Sequence, residues 1–89
     1  MRESVIEAHL TRLVKARGGL SYKFTSAVAG VPDRIVIFAG RVHLVEVKQS
    51  NGEISAIQEH QHKEIAKRGV EVSVLWSFED VERFVDEVT

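Results

Sequence analysis

The sequence predicts an α/β fold, a mixed sheet flanked by helices in the order α-β-β-β-α-β-α. Three observations predict it. Apolar residues recur at helical spacing in three segments, two of them at the ends of the chain. Runs rich in β-branched and aromatic residues alternate in four others. Glycines punctuate most of the junctions. Three strand segments in succession, then a helix leading to a fourth, give a sheet of mixed pairing covered by helices.

The elements follow in order. Val5, Ile6, Leu10, Leu13 and Val14 predict an amphipathic helix over residues 3–17, stopped by Gly18-Gly19. Leu20 to Thr25 alternates as a short strand, and Ser26 to Pro32 is a loop broken by Gly30 and Pro32. Arg34 to Ala39 and Arg41 to Gln49 read as two strands of a hairpin, linked at Gly40-Arg41. Ser50-Asn51-Gly52 is a turn. Residues 55–68 form a helix with Ile57, Ile65 and Ala66 on its buried side, ended by Gly69. Val70 to Trp76 alternates as the fourth strand. Phe78, Val81, Phe84, Val85 and Val88 form the apolar face of a last helix.

The chain of 89 residues reads as a single domain, residues 1–89. A fold of this size removes only about 60–65% of its unfolded surface from water, so a partner subunit would help it. Apolar residues make up 44% and charged residues 28%, a globular composition rather than a disordered one. The absence of cysteine excludes a disulfide scaffold, a thiolate zinc site and a cysteine nucleophile. No apolar run approaches the roughly 20 residues that span a bilayer, and MRESVIEAHL is unlike a signal peptide. The expectation is a soluble, cytoplasmic domain without a membrane partner.

The net charge of −1 hides an asymmetry. Residues 1–48 carry eight Lys and Arg against four acids (+4), and residues 49–89 carry four against nine (−5). A basic half can offer a footprint to phosphates; equally, solvated charges can segregate by chance.

The informative segment is Asp33 followed by Glu46-Val47-Lys48. On an extended strand Val42, Leu44, Glu46 and Lys48 share one face, and His43, Val45 and Val47 the other. The strand is apolar on both faces at first, which suits a central position. Two opposite charges then appear near its C-terminal end, where they must pair, meet solvent or bind an ion. Asp33 opens the preceding strand after Gly-Val-Pro, as a turn residue often does. A hairpin brings Asp33 near Glu46 if it is bulged or twisted. Two carboxylates brought together repel unless a cation sits between them. Carboxylate oxygens plus the Val47 backbone carbonyl suit Mg²⁺ or Mn²⁺. Lys48 could then steady a phosphorus centre or orient water. Phosphodiester hydrolysis requires those functions.

Gly30-Val31-Pro32-Asp33, Glu46-Val47-Lys48 and Gln58 on the next helix together resemble the virus-type replication-repair nuclease (VRR-NUC) domain of the PD-(D/E)XK nuclease superfamily. The resemblance covers nearly the whole chain. It implies a restriction-endonuclease-like core and a Mg²⁺- or Mn²⁺-dependent endonuclease, with Asp33 and Glu46 as metal ligands and Lys48 catalytic. It further implies a homodimer acting on branched DNA such as four-way junctions, in a bacterial or phage-infected cell. A non-catalytic DNA-binding or assembly module that keeps the nuclease fold is the competing expectation.

The family also places an acid of the first helix near the metal. Glu7 is preferred to Glu3, although Ser4 to Glu7 also fits a capping box. Gln58 is open in the same way between a site role and a capping box with Ser55. Lys23 and Arg34 are candidate DNA contacts, Arg34 pointing to the face opposite Asp33. The four histidines are set aside. His60 and His62 lie on different sides of a helix, and His43 faces away from Glu46. Trp76 ends a strand as core or dimer interface, with base stacking the alternative.

Overall fold

The computed structural model describes residues 1–89. Its order is α1 (Glu3–Ala16), β1 (Leu20–Lys23), β2 (Arg34–Phe38), β3 (Arg41–Val47), α2 (Ala56–Ala66), β4 (Val72–Leu75) and α3 (Phe78–Val88). The four strands form one sheet in sequence order. β1–β2 and β2–β3 pair antiparallel, and β3–β4 pair parallel. The parallel pair needs a crossover, which α2 provides. β3 is therefore an inner strand, as its two-faced apolar start predicts.

The core lies on one side of the sheet. Ile6, Leu10 and Val14 recur every four residues along α1 and meet Val81, Phe84 and Val85 of α3. Beneath them lie Val36, Val45, Val47 and Leu75 from β2, β3 and β4. Each such side chain contributes about 1.5–3 kcal/mol when fully removed from water. Ser77 caps α3 by accepting from the Asp80 N–H, while the Asp80 carboxylate accepts from the Trp76 N–H.

The other side is different. Leu20, Tyr22, Ile35, Ile37, Val42, Leu44 and Val72 share it, as the strand registers require. Leu20, Tyr22 and Val42 remain 49%, 53% and 60% exposed. α2 is the helix on this side, and it packs chiefly on the β4 flank. Its expected buried stripe is accordingly not buried: Ile57 and Ala66 are exposed, and Ile65 is only partly covered. The periodicity of α2 marks an apolar face, but this chain alone supplies too little surface to close over it.

Two local expectations are corrected. The β2–β3 link is Ala39-Gly40 rather than Gly40-Arg41, and Phe38 pairs with Arg41. Both link residues have positive φ, 51° and 78°, as a type I′ hairpin turn requires. α1 starts at Glu3 as expected, but the capping box read at its start is absent. Its N-cap is Arg2, with no side-chain cap, so Ser4 and Glu7 form no capping box. Ser55 and Gln58 do form one: Ser55 Oγ accepts from the Gln58 N–H, and Gln58 Oε1 accepts from the Ser55 N–H.

Candidate functional site

The site is built at the end of the sheet where β3 and β4 finish. The Lys48 N–H donates to the Leu75 carbonyl just beyond the last paired residues. The Ser50 N–H donates to the Met1 carbonyl, and Ser50 Oγ to the Trp76 carbonyl. The chain start, the loop after β3 and the end of β4 are thereby held together. Glu3, in the first turn of α1, is delivered to the same region.

Asp33 and Glu46 meet through register. Arg34 pairs with Val45, so the next step outward places Asp33 directly across from Glu46. No bulge is needed once the link is Ala39-Gly40. Directly opposed residues on paired strands hold their Cβ atoms about 4.5–5.5 Å apart. Lys48 lies two residues beyond Glu46 on the same face.

The electrostatics reflect this crowding. Glu46 is buried, and its carboxyl is pushed up to about 7. Burial is the largest cause, the Asp33 charge the next, and Glu3 and Glu7 add to it. Lys48 pulls the other way. Three acids thus press on a fourth, with one ammonium group to offset them. That excess of negative charge suits a divalent cation. The oxygens that could hold one are hard donors: the Asp33 and Glu46 carboxylates and the Val47 carbonyl. No three of the chain's His, Asp and Glu side chains are already gathered into a cage.

The remaining candidates separate. Glu7 is engaged: its Oε1 accepts from Arg34 Nε and Nη2 at 3.3 and 3.2 Å, with Lys23 Nζ 3.7 Å away. Glu3 is exposed and has the stronger influence of the two on Glu46. Gln58 uses its carbonyl in the capping box. Lys23 is largely exposed. Arg34 corrects the expectation of a DNA or subunit contact. Its side chain is only 10% exposed, and it donates to Glu7, Thr11 and Ser21. It points away from Asp33 as alternation requires, but that face of the sheet is covered by α1, so its charge is met inside the fold.

Sequence reasoning missed His62. Its Nε2 is buried without a hydrogen-bond partner and lies 3.9 Å from Glu46 Oε1. Burial, and then the Lys48 charge, hold its imidazole below the usual value. Pairing His62 with His60 hid it; pairing it with Gln58, four residues earlier, would have put both on one helix face. The other histidines take structural roles. His9 stacks on Phe78 and reaches Glu82, and His43 packs edge-on against Phe84.

One glycine ties the parts together. Gly30 has φ +87°, and a Cβ there would lie 2.6 Å from the Ile57 carbonyl oxygen. The loop that delivers Asp33 therefore packs backbone to backbone on α2, the helix that carries Gln58 and His62.

No family model matches the sequence. Among individual proteins, the chain is 38% identical over 77 residues to "Putative nuclease p44" of Acyrthosiphon pisum secondary endosymbiont phage 1, covering 84% of this chain and 83% of that protein. Among solved structures, it superimposes on a "VRR_NUC domain" with a TM-score of 0.87 and 30% identity, over 98% of this chain and 97% of that one. The mixed sheet with its flanking helices is thus the restriction-endonuclease-like arrangement expected from the sequence.

Proposed function

We infer, from the premise that this chain belongs to the VRR-NUC family, that it is a metal-dependent DNA endonuclease. The observation that carries this reading is the placement of Asp33 across from Glu46, with Lys48 beside them on one face. Asp33, Glu46 and the Val47 carbonyl would hold Mg²⁺ or Mn²⁺. The cation supplies Lewis acidity toward a phosphodiester when bound. Lys48 places an ammonium group where negative charge develops on the phosphorus oxygens, and it orients the attacking water. Burial of Glu46 keeps bulk solvent from its carboxylate.

Branched DNA acted on by a homodimer is the finer part of the proposal. One subunit of this size offers little surface to a duplex, whereas a two-fold pair presents two sites to two strands. The open apolar face through Leu20, Tyr22 and Val42 supports such a pairing, because apolar area of that kind marks an interaction surface. No helix is long and apolar enough to cross a membrane. The phage relative fits work in the cytoplasm of a bacterial or phage-infected cell.

The test incubates labelled four-way junctions and linear duplexes with Mg²⁺, with Mn²⁺ and with EDTA. Junction cleavage that needs metal and is lost in Lys48→Ala supports the reading. Binding without cleavage under every metal would establish the non-catalytic module instead.

A further inference from the structure

The histidine on α2 adjoins the carboxylates without any partner of its own. His62 Nε2 is shielded from solvent, makes no hydrogen bond, and stands 3.9 Å from Glu46 Oε1. That distance is too long for a hydrogen bond. A buried polar atom left unpaired is destabilising, so one held at a site calls for an explanation. Two donors that share one cation about 2.1 Å away stand roughly 3.0–4.2 Å apart, depending on the angle between them. The observed 3.9 Å is longer than the roughly 3.0 Å of adjacent octahedral positions, so cation binding would draw the two donors together, in keeping with the absence of a preformed three-ligand cage. The side chains around the pair carry both signs, Asp33 and Glu3 against Lys48, and none of them bonds to the ring.

We propose that His62 Nε2 is a ligand of the divalent cation held by Asp33 and Glu46, making the centre a mixed nitrogen–oxygen site that favours Mn²⁺ over Mg²⁺. The proposal rests on the metal-dependent reading above. Imidazole nitrogen suits transition metals, whereas Mg²⁺ prefers oxygen donors alone. The capping box fixes the start of α2, and the Gly30–Ile57 contact fixes its distance from the Asp33 loop. His62 lies one helical turn beyond Gln58, on a helix held against the Asp33 loop by the Gly30–Ile57 contact.

The test measures metal binding rather than cleavage. Mn²⁺ and Mg²⁺ are titrated into the purified chain and into His62→Gln and His62→Ala. Pulsed electron spin echo spectra are recorded on each Mn²⁺-loaded protein, and circular dichroism verifies that the variants fold. The expected result is a directly coordinated ¹⁴N coupling in the parent that disappears in both variants. Mn²⁺ affinity should fall about tenfold or more, a loss typical of disturbed metal centres, while Mg²⁺ affinity stays within about threefold. Mn²⁺ bound with no nitrogen coupling, or a coupling that survives His62→Gln, would overturn the inference and leave the metal reading intact. Failure of the parent to bind either ion would overturn both.

Discussion

Asp33 stands directly across from Glu46, one step beyond the last paired residues of the β2–β3 ladder. The relationship follows from a two-residue turn six positions away. Each residue of β2 pairs with one of β3 outward from Phe38 and Arg41, and the first non-strand residue of β2 is the aspartate. One carboxylate is therefore held against another in a buried place, and the consequences can be measured.

The first concerns Glu46 and pH. Its folded value near 7 exceeds the ordinary 4.5. Between those values the folded chain binds more protons than the unfolded one, so stability falls as pH rises from about 4.5 to 7 and then levels. Without metal, Glu46→Gln should raise stability at pH 8 by about 1–3 kcal/mol and have little effect near pH 4. Urea denaturation in EDTA at both pH values measures this. A variant less stable than the parent at pH 8 would show that the carboxylate is not under repulsion.

Lys48 should matter to chemistry and little to folding. Its side chain is half-covered at the edge of the site, and its backbone bond to Leu75 survives substitution. Lys48→Ala should reduce cleavage by about 10²–10⁴-fold, a range common for a positioned side chain acting in the transition state. The melting temperature should change by only a few degrees. Single-turnover cleavage with scanning calorimetry separates the two effects, and wild-type cleavage by the variant would remove Lys48 from the mechanism.

Arg34 should behave oppositely. Removing it leaves Glu7 without its main partner in a largely buried place. Breaking such a pair costs about 3–5 kcal/mol. Arg34→Ala should thus lower the urea midpoint strongly, and the double substitution with Glu7→Gln should recover part of the loss. If Arg34 were instead a phosphate contact, stability would hold and the salt dependence of DNA binding would flatten.

Gly30 links the loop that carries Asp33 to α2. Gly30→Ala places a methyl group against the Ile57 carbonyl and forces an L-residue into positive φ. The expected cost is more than 1 kcal/mol, because strain and collision add. Cleavage should fall further than stability explains, since Asp33 and α2 move apart together. Unchanged activity in a folded variant would show that the loop and α2 are positioned independently.

Much of this was legible in the sequence, for identifiable reasons. Alternation fixed Glu46 and Lys48 on one face, and the 3.6-residue period gave α3 its full extent and its buried Val81, Phe84 and Val85. What escaped depended on relations that no local pattern encodes. A one-residue shift in the hairpin link decided whether Asp33 needed a bulge. Arg34 read as a surface cation because its partners Glu7, Thr11 and Ser21 come from two distant elements. His62 was hidden because its neighbour is a strand glutamate reached only through the crossover. The exposed Ile57 shows that an apolar stripe signals a need for burial, not that the same chain meets it.

The central claim is that Asp33 and Glu46 share a divalent cation, and a Mn²⁺-soaked crystal tests it most directly. The account predicts an anomalous-scattering peak between the two carboxylates, within about 2.0–2.4 Å of an oxygen from each. Absence of a peak there at saturating Mn²⁺, or carboxylates turned to separate partners, would contradict it.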